Sequence, residues 1–314
     1  MADERPIEDQ IRLDLRGSVA WITIDNPTKG NAISPDMRDR MASLVNGCNG
    51  RFEARAIVIT AVGRKLFCPG ADISVGREFA PRPDDAPPLA VGESRRMMLE
   101  GQLKLMPAIL DSELPVIAAV NGTAAGVGAH LALCCDLVIM ADNAKLIEVF
   151  ARRGLVPDGL GAWILPRLVG LQKAKELMFF AEDISAEEAL RIGLCNRVVP
   201  GDDLIEAATE WAERLASGPT RSFMLTKWLV NRSLDVDRRT LEDNEAWAVE
   251  LNNGTLDSAE GLASFRERRD PVRREPRDVG RAVREARLDG GDDARDGRLL
   301  LLGHRHRPTP LRFE

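Results

Sequence analysis

Imidazoles are scarce in this chain. There are three histidines, two of which (His304 and His306) lie near the C-terminus, and there is no tyrosine. Acid–base chemistry in the main body therefore rests on Asp, Glu, Lys, Cys or the single His130. Two glycine-containing turns offer chemistry of another kind. In CPGADI (68–73) the chain turns at Gly70 and is expected to enter a helix at Ala71-Asp72. In NGTAAGVGAHL (121–131) it leaves an apolar run and enters a helix through small residues. A helix N-terminus presents backbone N–H groups without internal partners and favours negative charge. Two such turns at the ends of adjacent parallel strands would aim two donors at one oxygen, an oxyanion hole made without a charged side chain. Tight packing is the competing reading of each turn. NGTAAGVGAH is neither a P-loop nor a dinucleotide fingerprint, because it lacks Gly-Lys-Ser/Thr and spaces its glycines differently.

These turns need strands and helices to hold them. IRLDL (11–15) and VAWITID (19–25) read as a hairpin around Gly17-Ser18. Ser34-Pro35-Asp36 reads as N-cap, proline at the first helical position and first-turn acid, starting a helix through about Val45. AIVITAV (56–62), LPVIAAV (114–120) and CDLVIMAD (135–142) are buried strands, with a helical pattern over 93–110. Strand, crossover and helix repeating in this order predict an α/β fold with a parallel sheet. Beyond Leu160 helices take over: Ser185-Ala-Glu-Glu188 is a capping box, Gly193 a C′ stop, and amphipathic stretches cover 202–216, 220–232 and 238–252.

The 314 residues suffice for a large core without a disulfide or metal staple. With 43 Lys+Arg against 49 Asp+Glu the net charge is −6, which argues against nucleic acid as a partner. No apolar run reaches the roughly 20 residues that span a bilayer, and MADERPIEDQ is too charged for a signal peptide. Five cysteines without CxxC spacing or a nearby His point to reduced thiols in a cytoplasmic protein and to no metal site. Cys134-Cys135 read as buried, inert thiols. From about Arg266 onward Arg, Asp and Gly dominate, and 273–314 is expected to be a poorly ordered tail.

Six motifs in order then carry a resemblance: ITIDNPTKGNAIS, KLFCPGADI, PVIAAVNGTAAGVGAHLALCCDLVIMAD, GLVPDGLGAWILPRLVG, ISAEEALRIGLCNRVVP and DSAEGLASFRERRDP. Across about residues 8–272 the chain resembles the crotonase (enoyl-CoA hydratase/isomerase) superfamily. The resemblance implies a ββα spiral core over 1–200, a helical trimerisation region over 201–272, and assembly as a homotrimer or a dimer of trimers. It also implies an acyl-CoA thioester substrate, no separate cofactor, and an oxyanion hole formed by the backbone N–H groups of Ala71 and Val127. Lys29, Asn31 and Ala32 match the loop that contacts CoA in the family, and Gly70, Asp72, Ile73 and Gly126 flank the two donors. A helix cap is the competing role for Asp72, and a solvated lysine for Lys29.

Hydratases of the family carry two glutamates, whose positions here hold His130 and Phe150. Phe150 cannot transfer a proton, so hydration by paired carboxylates is not expected. Asp158, in LVPDGLG, stands where several isomerases of the family carry a single acidic base. The surrounding motif resembles the ring-epoxide isomerase of phenylacetyl-CoA breakdown and, more loosely, Δ3,Δ2-enoyl-CoA isomerases. Asp158 and His130 are thus the catalytic candidates and isomerisation the expected reaction, with hydration of a 2-enoyl-CoA and non-catalytic acyl-CoA binding as alternatives. An N-cap at a helix beginning near Gly159 competes for Asp158, and a satisfied core residue for His130. Glu148, two residues before Phe150 and on its face if the segment is a strand, is the remaining pocket candidate, with an exposed acid at a strand end as the favoured reading. Core packing is expected for Trp163, Phe179 and Phe180, with the lining of an acyl pocket as the alternative for Trp163.

Overall fold

Gly17, at φ +57°, lets β1 (Ile11–Arg16) fold back antiparallel on β2 (Val19–Ile24). Only Ile11 of β1 is buried while every residue of β2 is, because β1 forms the sheet edge and β2 is covered by its neighbours. β3 (Ala56–Ala61), β5 (Val116–Val120), β7 (Leu137–Ala141) and β10 (Arg197–Val199) extend this sheet in parallel, in the order β1-β2-β3-β5-β7-β10. β3, β5 and β7 are almost wholly apolar and buried, as a strand covered on both faces requires, while β10, at the other edge, opens on Arg197 and fully buries only Val199.

A second sheet, in the order β4-β6-β8-β9, is made of three-residue strands: β4 (Leu66–Cys68), β6 (Thr123–Ala125), β8 (Lys145–Ile147) and β9 (Asp183–Ser185). Three times in succession the chain lays a strand in the first sheet and then a short one in the second: β3 then β4, β5 then β6, β7 then β8. This is the expected ββα spiral. Neighbouring turns of the spiral are stitched together by the backbone. Thr123 N–H donates to the Lys65 carbonyl at 2.9 Å, and Gly122 lies so close that a Cβ there would stand 2.4 Å from the Lys65 carbonyl carbon.

The helices are α1 (Ile7–Gln10), α2 (Pro35–Cys48), α3 (Glu93–Met97), α4 (Leu105–Leu110), α5 (Val127–Leu133), α6 (Gly161–Phe180), α7 (Ala186–Arg191), α8 (Leu204–Ala216), α9 (Thr220–Arg232), α10 (Arg238–Asn253) and α11 (Leu256–Glu267). A π-helical turn (Met98–Gln102) lies between α3 and α4. Ser34 Oγ caps α2 by accepting from Met37 N–H at 3.2 Å, and Ser185 Oγ caps α7 through Glu188 N–H at 3.2 Å. The structure, a computed structural model, describes residues 5–50, 53–74, 85 and 91–272. The segment 76–93, where the resemblance to the family places its acyl-chain specificity loop, lies outside these residues apart from Asp85 and residues 91–93, as does the whole 273–314 tail.

α8 packs on the first sheet, while α9, α10 and α11 pack chiefly on one another. α9 buries none of its own residues fully, yet side-chain bonds tie it to the core: Asn231 Nδ2 donates to Leu110 O at 2.9 Å and Arg55 Nε donates to Thr220 Oγ1 at 2.9 Å. Lys227 Nζ donates to the carbonyls of Ile109 (2.8 Å) and Leu114 (3.3 Å) and pairs with Asp136 at 2.8 Å. Asp136 in turn accepts from Val116 N–H at 2.7 Å, at the start of β5. No helix among the described residues is long and apolar enough to cross a membrane.

Candidate active site

The two glycine turns do meet. Gly70, at φ +113°, approaches so closely that a Cβ there would lie 3.3 Å from the Ala125 carbonyl oxygen and 3.8 Å from the Val127 nitrogen. Only a glycine brings the two backbones this near at such a φ. Gly126, at φ +53°, donates its N–H to Ile147 O at 2.9 Å and hands the chain into α5 at Val127. The first helical bond of α5 runs from His130 N–H to Gly126 O at 3.0 Å, so Val127 N–H has no partner within the helix. Gly128 is fixed by sterics too: a Cβ on it would stand 2.1 Å from the Cys68 carbonyl oxygen, which presses α5 against the end of β4.

The helix expected at Ala71-Asp72 does not form. Ala71 instead makes a parallel bridge with Ile33: Ile33 N–H donates to Gly70 O and Asp72 N–H donates to Ile33 O, both at 2.9 Å. These bonds hold 70–72 extended and turn the Ala71 N–H away from Ile33. Asp72 closes a tight turn instead, its Oδ1 accepting from Ser74 N–H at 2.9 Å and from Ser74 Oγ at 2.7 Å. Lys29 is not a free loop lysine. Its Nζ donates to Ser74 Oγ at 2.7 Å and lies 4.0 Å from Asp72 Oδ2.

Asn31, at φ +66°, is buried, and its side chain is engaged within the protein. It donates to Val62 O (3.0 Å) and Leu66 O (2.8 Å) and accepts from Asn26 N–H (3.1 Å), so it stitches the loop to β3 and β4. Ala32 is buried beside it. Ile73 is 83% exposed.

Around His130 the structure gathers what the sequence left scattered. The imidazole is fully buried. Its Nδ1 lies 2.6 Å from the carbonyl oxygen of Asp158, and its Nε2 lies 3.1 and 3.0 Å from the two carboxylate oxygens of Glu148. Glu148 is only 2% exposed, so the expected strand-end exposure is wrong. The acid turns inward because a ring nitrogen is there to pair with it. Phe150 stacks on the imidazole, with centroids 5.4 Å apart and planes within 13°. The other flank is Gly161, where a Cβ would stand 2.0 Å from ring carbon Cε1.

Asp158 sits at the rim of this cluster, half-buried. It is not an N-cap: α6 begins at Gly161 with Leu160 as its cap residue and no side-chain cap bond. Gly159 (φ +57°) and Leu160 (φ +62°) both take left-handed conformations, which swing the Asp158 side chain off the helix axis. The Asp158 carbonyl accepts from Gly161 N–H at 3.1 Å as well as from the histidine, while its carboxylate Oδ1 is buried without a partner. Burial pushes this carboxyl above its usual range, and His130 opposes the shift. Gly159 brings Asp158 beside the second donor turn, since a Cβ at 159 would touch Val127 Cγ1 at 3.5 Å.

The remaining candidates stand apart. Burial pushes the Cys68 and Cys134 thiols up to about 12 and likewise raises Cys135 well above its usual range, so all three are inert. Trp163 is half-buried beneath the Arg167 guanidinium, 3.9 Å from the ring centroid. Phe179 and Phe180 are exposed, against the expectation of core packing. Gly170, at φ +79° and ψ +163°, breaks α6, and in the following segment Ala174 and Leu177 take the inward face. Among the described residues no group of three or more His, Cys, Asp or Glu could hold a metal ion.

The family model described as enoyl-CoA hydratase/isomerase matches residues 14–276. A short-chain-enoyl-CoA hydratase of Clostridium acetobutylicum is 34% identical over 261 residues, covering 83% of this chain and 96% of its own. A 1,2-epoxyphenylacetyl-CoA isomerase of Escherichia coli is 33% identical over 254 residues, covering 81% and 94%. The crystal structure of an enoyl-CoA hydratase from Bacillus anthracis superposes with a TM-score of 0.74 at 31% identity, over 83% of this chain and 98% of that one. The spiral of paired strands and the sequence agree, and the chain belongs to the enoyl-CoA hydratase/isomerase family, within the crotonase superfamily.

Proposed function

We propose that this chain isomerises an enoyl-CoA thioester, or a related CoA ester, with Asp158 as its single proton-transfer group. One observation carries this reading: of the three ionisable side chains clustered here, Asp158 alone reaches the surface, and it does so beside the Val127 turn. The thioester oxygen would accept from the N–H groups of Ala71 and Val127. Such donors stabilise an enolate by about 3 kcal/mol each. Asp158 would take a proton from C2 of a 3-enoyl thioester and return it at C4, leaving the 2-enoyl isomer and a regenerated carboxylate. No electron or oxygen atom is transferred, so the step calls for no cofactor. Lys29, beside Asp72 and Ser74, supplies positive charge for a CoA phosphate. The exposed apolar side chains of α9 to α11 support assembly into a homotrimer or a dimer of trimers.

The test is turnover of 3-enoyl-CoA and 2-enoyl-CoA esters by the native protein and by Asp158→Asn. The variant is expected to lose about 10³-fold in kcat while binding the CoA ester as before. Undiminished turnover by the variant would remove Asp158 from the mechanism. A second reading, hydration of a 2-enoyl-CoA, is favoured by the prevalence of hydratase over isomerase names among the relatives. An Asp158-dependent 3-hydroxyacyl-CoA product would establish it in place of isomerisation. Ester binding without turnover of any substrate would reduce the chain to a binding protein.

A further inference from the structure

His130 and Glu148 are too deeply buried to touch a substrate, yet they form the most specific polar contact in the region. A backbone carbonyl can only accept, so the 2.6 Å contact with the Asp158 carbonyl requires a proton on Nδ1. Nε2 faces a carboxylate on the opposite side of the ring, and one more proton lies between them. A carboxylic acid would donate to Nε2 through one oxygen at a shorter distance than the other. The near-equal separations of 3.1 and 3.0 Å instead suit an N–H aimed between two carboxylate oxygens. The Phe150 face, 5.4 Å away by centroid, suits a cationic ring.

From this geometry we propose that His130, held as the imidazolium by Glu148, is a positioning residue for Asp158. It pins the Asp158 backbone and places a positive charge on the Asp158 side of the ring, with the countercharge on the far side. The proposal rests on the reading of Asp158 as the proton-transfer group. The pinning is specific because Asp158 precedes two left-handed residues, Gly159 and Leu160, whose conformation its carbonyl helps to hold. The ring itself cannot swing away, since Phe150 covers one side and Gly161 leaves room for nothing larger on the other.

Of the elements packed on α5, α4, β5 and β6 carry no ionisable side chain, and β4 carries only the Cys68 thiol, held neutral by burial. α6 carries Arg167, Lys173, Lys175 and Glu176, of which Arg167 pairs with Asp235 and Lys173 with Glu176 at 2.7 Å. On α5's own side, Cys134, one turn beyond His130, is likewise neutral, and Arg152 beyond Phe150 is turned to Asp183 at 3.0 Å. Burial favours the protonated form of the Asp158 carboxyl, while the adjacent ring and a bond from its own backbone N–H favour the ionised one.

The test uses the full chain with Glu148→Gln, His130→Asn and His130→Leu, each checked for native circular dichroism. Glutamine keeps a partner for Nε2 but removes the reason for the ring to be charged. The acid limb of kcat/KM is then expected to move up by about one pH unit, KM changing little. Asparagine places its amide nitrogen near the position of Nδ1, so His130→Asn should retain more kcat than His130→Leu. In parallel, ¹⁵N spectra of labelled histidine should show the His130 imidazolium at neutral pH in the native protein and its loss in Glu148→Gln. A neutral His130 ring in the native spectrum overturns the proposal, as does a folded Glu148→Gln variant with an unmoved acid limb. If Asp158→Asn is inactive while these variants behave as native, the positioning role alone falls. If Asp158→Asn keeps native turnover, the reading of Asp158 falls with it.

Discussion

At the residue scale, the exposed part of Asp158 and its buried Oδ1 pull in opposite directions. Its carboxyl is raised above the usual range by burial, so the folded protein binds a proton that the unfolded chain has already released. Between the ordinary carboxylate range and the raised value, stability therefore falls as pH rises, and above that window the full penalty remains. Asp158→Asn removes the penalty together with the base. The variant is expected to be inactive and to melt about 2 °C above the native protein at neutral pH. Calorimetry at neutral pH and again near pH 3 checks this, because the gain should vanish where the native carboxyl is protonated in both states. A carboxylate that costs stability where it stands is what a group kept for chemistry, rather than for the fold, should look like.

At the element scale, α9 shows how a helix with no fully buried residue is still fixed to a domain. Lys227 is one of its anchors, meeting two carbonyls and the carboxylate of Asp136, whose second task is to hold the first N–H of β5. Lys227→Met strips the charge, frees two carbonyls of their donor and leaves Asp136, whose side chain is partly exposed, with Val116 N–H. Loss of one partner of such a half-solvated pair costs about 1–2 kcal/mol. Denaturant unfolding should show that loss, with hydrogen exchange rising first in α9 and at the start of β5.

The same scale separates what the sequence made legible from what it hid. β3, β5 and β7 were readable because a strand buried on both faces needs a nearly unbroken apolar run, and β2 because a glycine turn joins it to β1. The caps of α2 and α7 were readable because their bonds span three residues. The three-residue strands of the second sheet carry no periodicity long enough to detect. The extended state of Ala71 was hidden because it depends on Ile33, far back in the chain. The donor turns and Asp158 were visible as motifs, but the burial of Glu148 depends on a ring eighteen residues away, and no local pattern records it.

At the scale of the whole molecule, apolar surface concentrates on the helices after the spiral. Trp228 and Val230 on α9, Trp247 and Val249 on α10, and Leu262 and Phe265 on α11 are all exposed. Leaving this much aromatic and aliphatic area in water is costly, and closed assemblies of identical chains are the usual way of covering it. Light scattering of the full chain is expected to give the mass of a trimer or of two trimers. Trp247→Glu should shift the mass toward the monomer while the circular dichroism of the spiral core persists. A monomeric native protein at micromolar concentration would contradict the assembly.

The bare backbone at Gly161 also constrains how this site can have changed over time. With the imidazole above it, no side chain fits at 161. Any lineage that lost the glycine first would pass through a badly clashing intermediate, whereas one that lost the histidine first would open a hollow that a small side chain could then fill. The two positions are thus bound into an order of substitution. Relatives with a side chain at 161 should be found on backgrounds that lack the ring at 130, so the history of the pocket runs through its histidine.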